Sequence, residues 1–241
     1  MAGFTNVGVG RSLGAQIAGA ANIQIGMLKG SQFAGVTNIA TDHVRGSQVA
    51  GLFNYGHVVH GTQIGLVNVA DTLGGVPIGL ISYVRSGYHK LEFSADEVFH
   101  ANVAFRTGVS KFYNIILAGV KPDHDFPSNP VWTFGYGLGT APRLTRWLDL
   151  NLDATAQHVN QGAFTHELSL LNKIHVGLDF KLARKFSLYG GVTLNGYLTH
   201  NGYAGYPVLS TDYQPTVTHE QNWGESNLKM WWGAKVGLRF L

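Results

Sequence analysis

The stretch Leu228–Leu241 reads L-K-M-W-W-G-A-K-V-G-L-R-F-L. Leu228, Met230, Trp232, Ala234, Val236, Leu238 and Phe240 share one parity, and Lys229, Trp231, Gly233, Lys235, Gly237 and Arg239 the other. Successive side chains of a β-strand point to opposite faces, so this is a strand with one apolar and one polar face. Roughly 9–11 tilted residues carry a strand across a bilayer, and this run is long enough.

Upstream, the same alternation recurs. Phe99, Ala101, Val103 and Phe105 alternate with His100, Asn102, Ala104 and Arg106, and Tyr113, Ile115 and Leu117 follow Ser110-Lys111. Trp132, Phe134, Tyr136 and Leu138 alternate with Thr133 and three glycines. Leu148, Leu150, Leu152, Ala154 and Ala156 alternate with Asp149, Asn151, Asp153, Thr155 and Gln157. Leu168 to Leu182 keep one apolar parity broken only by Asn172, and Phe186, Leu188, Val192 and Leu194 continue it. With Leu91-Phe93-Ala95 and the last strand, the spacing predicts about eight strands. Short turns are expected at Ser110-Lys111, Ala141-Pro142-Arg143 and Ala183-Arg184-Lys185. Longer links are expected at Lys121–Pro130, His158–Thr165 and Thr199–Ser226. Short turns on one side and long loops on the other are the pattern of a transmembrane barrel.

Residues 1–85 carry a different order. G-A-Q-I-A-G-A-A-N begins at Gly14, G-S-Q-F-A-G-V-T-N at Gly30, G-S-Q-V-A-G-L-F-N at Gly46 and G-T-Q-I-G-L-V-N at Gly61. Asn6, Asn22, Asn38, Asn54 and Asn68 recur in register, as do Gln16, Gln32, Gln48 and Gln63. A short fixed period means stacked units, each burying its neighbour. A 14–16-residue unit suits one coil of a β-solenoid or one hairpin of a stack, and stacked Asn and Gln side chains suit amide ladders between rungs. A ligand-binding stripe is the other reading of these amides. The opening residues match the second half of a repeat, so further repeats are expected to precede residue 1.

Composition agrees with an all-β chain. Charged residues are 13%, about half the usual share of a soluble domain. Glycine numbers 32 and proline 7, which suits closely packed strands. A net charge of +3 without a Lys/Arg cluster gives no reason to expect nucleic acid. Absence of cysteine excludes disulfides, thiolate metal sites and a Cys nucleophile. No run of 18 apolar residues suggests a transmembrane helix, and no secretory signal is visible, so the chain is expected to be a mature form or a fragment.

The expected architecture is a short-period repeat section over 1–85 and an antiparallel transmembrane β-barrel over 86–241. Its closure rests on Trp232, Val236, Leu238 and Phe240. The inward parity carries Asp149, Asp153, Asp179, Lys181, Lys229, Lys235 and Arg239, and charges so confined must pair. A plugged, salt-bridged interior is expected, not a pore. The alternative is a soluble, lipocalin-like barrel with its apolar face inward, binding an apolar ligand.

Candidate chemistry is sparse. His43, His57 and His60 lie in β-type repeats, where their spacing does not bring two ligands together as a helix would, and no metal or cofactor is expected. His158, His166, His200 and His219 fall near long loops. Asp212, His219, Glu220 and Glu225, with His200 and Ser210 nearby, could furnish a rim lipase or protease, but no G-x-S-x-G, G-x-x-x-x-G-K-[ST] or H-E-x-x-H motif is present. The expectation is a protein without catalytic activity.

The terminal amphipathic strand, with Gly233, Val236, Leu238 and Phe240, resembles the closing strand of bacterial outer-membrane β-barrels, in which a terminal aromatic is read by the insertion machinery. Leu241 lies one place beyond that position. The tandem G-x-Q-x-x-G-x-x-N repeat followed by a barrel-like section resembles bacterial outer-membrane surface-repeat proteins, known mainly from Bacteroidetes and spirochaetes. The resemblance implies location in the bacterial outer membrane of a Gram-negative cell and a structural or interaction role. Outer-membrane lipid and the barrel assembly machinery are then the expected partners, with a protein or glycan bound by the repeats. It transfers no catalytic residue.

Overall fold

The computed structural model describes residues 1–121, 130–200 and 216–240. Every regular element among them is a β-strand. Two compact units result: Met1–His89 with Thr107–Asn114, and Lys90–Arg106 with Ile115–Leu241. The boundary therefore differs from a single cut at residue 85, because the tip of one hairpin belongs to the first unit.

The first unit is a β-solenoid of about five turns. Strands β1 (Thr5–Val9), β2 (Ser12–Leu13) and β3 (Gln16–Ala18) form its first coil. The second contains β4 (Ala21–Ile25), β5 (Leu28–Lys29) and β6 (Gln32–Ala34), and the third β7 (Thr37–Val44) and β8 (Gln48–Ala50). The fourth contains β9 (Phe53–Val59) and β10 (Gln63–Ile64), the fifth β11 (Val67–Leu73) and β12 (Pro77–Ile78), and β13 (Ile81–Val84) ends the stack. Pairing is parallel throughout: one face runs β1-β4-β7-β9-β11-β13 and the other β3-β6-β8-β10-β12. Parallel pairing excludes the hairpin stack, whose neighbours would be antiparallel.

Register explains the period. Asn22, Asn38 and Asn54 stand opposite one another in successive strands, as do Gln32, Gln48 and Gln63. Apart from Asn68 and Gln24, which is buried and bonded to Gln16 and the Gly10 carbonyl, the other inward positions are small or aliphatic, with Leu28, Ala40, Val44, Val59, Ala70, Leu73 and Val84 forming the apolar core. Glycines hold the corners because the coils approach there backbone to backbone. A Cβ on Gly35 or Gly51 would run into the carbonyl oxygen of Gly19 or Gly35 in the preceding coil.

The second unit is a closed eight-stranded antiparallel barrel. Its strands are β14 (Tyr88–Asp96), β15 (Ala101–Val109), β16 (Phe112–Lys121), β17 (Val131–Thr140), β18 (Leu148–Gln161), β19 (Ser169–Ala183), β20 (Phe186–His200) and, after the short β21 (His219–Trp223), β22 (Ser226–Phe240). Closure is made by β14 against β22, with Leu91 opposite Phe240, Phe93 opposite Leu238 and Ala95 opposite Val236. Strand β21 adds to β22 outside the barrel, Trp223 opposite Ser226 and His219 opposite Met230.

Several local expectations are corrected. Tyr113, Ile115 and Leu117 do not share the outward parity of the other apolar runs: they are buried, and Ile116 is exposed instead. Both parities of β16 are apolar, so alternation could not orient it. Phe99 belongs to no strand but to the turn Glu97–His100, and is buried. The expected turn at Ala141–Arg143 is a longer connection reaching Trp147, and β18 runs on to Gln161.

Candidate functional site

Three features are built densely enough to carry function: the outer wall of the barrel, its interior, and the amide stack of the solenoid.

On the wall, the long strands turn one parity outward. Leu152, Ile174, Val176, Leu188, Val192, Val236 and Leu238 are exposed, while Asp149, Asn151, Asp153, Lys173, His175, Asp179 and Arg239 on the opposite parity are buried. From Phe240 to Leu228 the outward run is about 40 Å long at ~3.3 Å per residue. Tilted by ~35–45°, such a run is about 30 Å tall, close to the ~30 Å hydrocarbon core of a bilayer. Aromatic contacts gather at both ends. Trp147 stacks on Phe180, and Phe240 meets Phe93 and Phe186; toward the other end Trp132 stacks on Phe134 and Phe134 on Phe164. Trp232 is exposed on this wall beyond the β14–β22 pairing, so of the four proposed closure residues it alone stands off the seam.

Inside, charges pair around Glu92, which is wholly buried. Its carboxylate meets Arg106 at 2.6 Å, Lys235 at 2.6 Å and Arg239 at 2.7 Å. Asp153 binds Arg106 at 2.9 Å, and Arg239 also reaches Asp179 at 3.2 Å and Asn151 at 2.8 Å. Asp96 holds Lys173 at 2.7 Å, and Asp149 holds Lys181 at 2.7 Å. The Arg239 guanidinium lies 3.5 Å from the centre of the Tyr189 ring, and the Tyr189 hydroxyl is hydrogen-bonded to the His175 ring. Buried charges require such partners, since a lone one is costly to desolvate. The cavity among Asp96, Arg106, Asp153, Lys173, His175 and Lys235 measures about 20 Å³, room for roughly one water molecule. These groups fill the barrel as a plug.

A second interior layer is apolar. Val98 and Phe99, from the turn after β14, pack with Val131, Val159, Leu171, Tyr197 and Trp231. Beside them the Glu97 carboxylate accepts hydrogen bonds from Asn195 at 2.7 Å, Trp231 Nε1 at 3.3 Å and the Ala234 amide at 3.0 Å. The β14–β22 pairing stops at Asp96 opposite Lys235, so Glu97 supplies the acceptor that the ended strand no longer gives Ala234. Gly233 leaves the space that this carboxylate occupies, and a Cβ there would push the Glu97 side chain aside. Sequence reading missed Glu92, Asp96, Glu97 and Lys173 as interior groups. The polar parity of Glu92, Ser94 and Asp96 against Leu91-Phe93-Ala95 was the available signal.

In the solenoid each Asn amide does two things. Asn22 donates to the side-chain oxygen of Asn38 at 2.9 Å and to the Phe33 carbonyl at 2.8 Å, so it binds the next rung and also the opposite wall. Asn38 does the same to Asn54 and Val49, Asn54 to Asn68 and Ile64, and Asn6 to Asn22 and Ile17. Glutamines run in the reverse sense: Gln63 donates to Gln48, Gln48 to Gln32 and Gln32 to Gln16, each at 2.8 Å. The two chains of amide dipoles oppose each other along the stack. They end where Pro77 stands opposite Gln63 and Ser82 opposite Asn68, since neither can continue the pattern.

The histidines are dispersed. His43 contacts Asp42 and faces the ring of His60, and His57 is bonded to Asp71 at 2.6 Å. His158 is bonded to the Thr165 carbonyl at 2.9 Å, and His166 meets the Phe164 ring. His200 lies 3.4 Å from Glu225, while Glu220 accepts from Asn227 and His219 pairs along β21 with Met230. Ser210 and Asp212 lie outside the described residues. Among the described residues no group of three or more His, Asp and Glu side chains is placed to hold a metal ion. Compared with known proteins, the sequence matches no family model and no curated protein.

Proposed function

We propose that the chain is a non-enzymatic surface-repeat protein of a bacterial outer membrane, in which the barrel is the anchor and the solenoid a rigid structural or interaction module. What supports this reading is the sidedness of the barrel: a closed sheet with an apolar outer wall about one hydrocarbon core tall and its charges paired inside. A closed barrel leaves no edge backbone groups for lipid to strand. A water-soluble, ligand-carrying barrel needs the opposite sidedness. Outer-membrane lipid is thus the first partner, and the strand ending at Phe240 is the segment offered to the barrel assembly machinery. The solenoid offers its partner, a protein or glycan, a regular lattice of side chains repeated coil by coil.

Val236→Arg and Leu150→Arg test this. Each puts a cation on the outer wall inside the aromatic ends, where the cost rises from about 0–1 kcal/mol at the interface to about 2–4 kcal/mol at the midplane. The expected result is a drop in the membrane-inserted fraction, with the chain degraded or aggregated. Assembly of both variants at parental yield would overturn the membrane reading.

A further inference from the structure

We propose that the solenoid itself lies against the lipid bilayer along one side, so that the repeats are a second membrane-contacting element. The inference rests on the reading of the chain as a membrane protein and extends it to the other unit.

Four outward columns of the solenoid carry no Asp, Glu, Lys, Arg or His in any coil: those of Ile17–Phe33–Val49–Ile64–Ile78, Val36–Leu52–Leu66–Leu80, Thr37–Phe53–Val67–Ile81 and Ile39–Tyr55–Val69–Tyr83. Phe33, Leu52, Ile64, Leu66, Ile78 and Leu80 are each about half exposed. The columns are contiguous around the corner at Gly35, Gly51, Gly65 and Gly79, which makes one apolar side running the length of the stack. Exposed apolar patches of this extent on a soluble protein mark a contact surface.

Two observations favour lipid as the occupant. First, a protein interface carries about one hydrogen bond per 100–200 Å², but the side chains of these columns offer only Thr5, Thr37, Tyr55 and Tyr83 for that purpose. Second, lipid tolerates backbone only when its polar groups are satisfied. The corner between the columns meets that condition in most coils: Val36 and Thr37 donate to the Ala20 carbonyl, Leu52 and Phe53 to Val36, Val67 to Leu52, and Leu80 and Ile81 to Leu66. The charges lie on the remaining perimeter, which in its first coils also exposes Val9, Leu13 and Ile25: Asp42, His57 and Asp71 on one part, and Lys29 and Arg45 side by side in successive coils on another. Cations flanking an apolar face suit an anionic headgroup layer.

The chain has no cysteine, so single labels can be placed without altering any native thiol. The full chain would be reconstituted in phosphatidylcholine–phosphatidylglycerol vesicles with an environment-sensitive fluorophore at Leu52→Cys, Ile64→Cys, His57→Cys or Val236→Cys. At Leu52 and Ile64 the expected result is a blue-shifted emission lost when the lipids carry nitroxide acyl chains and insensitive to aqueous iodide. At His57 the converse is expected. Iodide quenching at Leu52 and Ile64 equal to that at His57 would overturn the proposal. So would a blue shift there without lipid quenching, which would mean that protein, a second copy included, covers the face. The Val236 label separates the two readings: quenched by lipid at Val236 but not at Leu52, only this inference fails; unquenched at Val236, both fail.

Discussion

Glu92→Leu is expected to lower the stability of the barrel by about 3–5 kcal/mol, the usual cost of removing one partner from a buried ion pair. The size follows from what remains. Arg106, Lys235 and Arg239 all contact the Glu92 carboxylate within 2.7 Å, and among the described residues Asp153, on Arg106, and Asp179, on Arg239, are the further carboxylates within 3.2 Å of these cations. Arg106 and Arg239 are wholly removed from water and Lys235 mostly so, and the two guanidiniums cannot be rehydrated without opening the barrel. Leucine fills the volume but offers no acceptor. The measurement is urea unfolding in vesicles followed by tryptophan fluorescence. All five tryptophans, Trp132, Trp147, Trp223, Trp231 and Trp232, lie in the barrel section, so the signal reports this unit alone. A fall in midpoint with unchanged slope is expected. Glu225→Gln, which breaks the exposed pair with His200, is expected to change the unfolding free energy by well under about 1 kcal/mol and so to leave the midpoint nearly in place. Equal midpoints for Glu92→Leu and the parent would mean that the interior network is not what holds the barrel in this form.

Asn38→Leu in the solenoid is expected to cost about 3 kcal/mol, against about 1 kcal/mol or less for Asn6→Leu. Asn38 is wholly buried, accepts from Asn22, and donates to Asn54 and to the Val49 carbonyl. Leucine has nearly the same shape but strands those three groups, and an unsatisfied buried polar group costs about 1–3 kcal/mol. Asn6 stands on the first rung described, where water reaches its neighbours and only one side is stacked. Trypsin cleavage after Arg45 reads the difference, because its rate follows the population of the opened coil when reclosing is fast. Roughly a hundredfold faster cleavage is expected for Asn38→Leu, and a change of a few-fold at most for Asn6→Leu. Equal acceleration at the two sites would mean that the amides do not act as a ladder.

How far the chain could be read without coordinates depended on what each residue has as a neighbour. The repeat amides were legible because parallel stacking places identical residues opposite one another, so sequence period and contact are the same fact. Strands β18, β19, β20 and β22 were legible because their two parities differ sharply, Leu150 against Asp149 or Val236 against Lys235. Strand β16 was not: Ile116, Ala118 and Val120 are as suited to an apolar wall as Tyr113, Ile115 and Leu117, so hydropathy alone does not decide which set is enclosed. Phe99 looked like the start of a strand because the apolar alternation ran through it, whereas with Val98 it turns inward to pack on Trp231. Trp231 in turn sat on the parity called polar, because an interior with an apolar layer above an ionic one obeys no single hydropathy rule. The hub at Glu92 escaped for a further reason. Its partners Arg106, Lys235 and Arg239 are 14, 143 and 147 residues away along the chain; Arg106 comes from the neighbouring strand β15, and closure of β14 on β22 brings in the other two.

The most direct test of a closed barrel seated in a bilayer is the gel mobility of the full chain taken from a membrane fraction, unheated against boiled, beside a chain lacking Phe240 and Leu241. A closed barrel resists detergent until heated, and its last strand completes the seam at Leu91 opposite Phe240. The full chain is therefore expected in the washed membrane pellet, with a compact unheated band that shifts on boiling, and the shortened chain is expected to lose both the pellet fraction and the shift. Recovery of the full chain in the aqueous supernatant, or equal mobility and yield for the two chains, would contradict it.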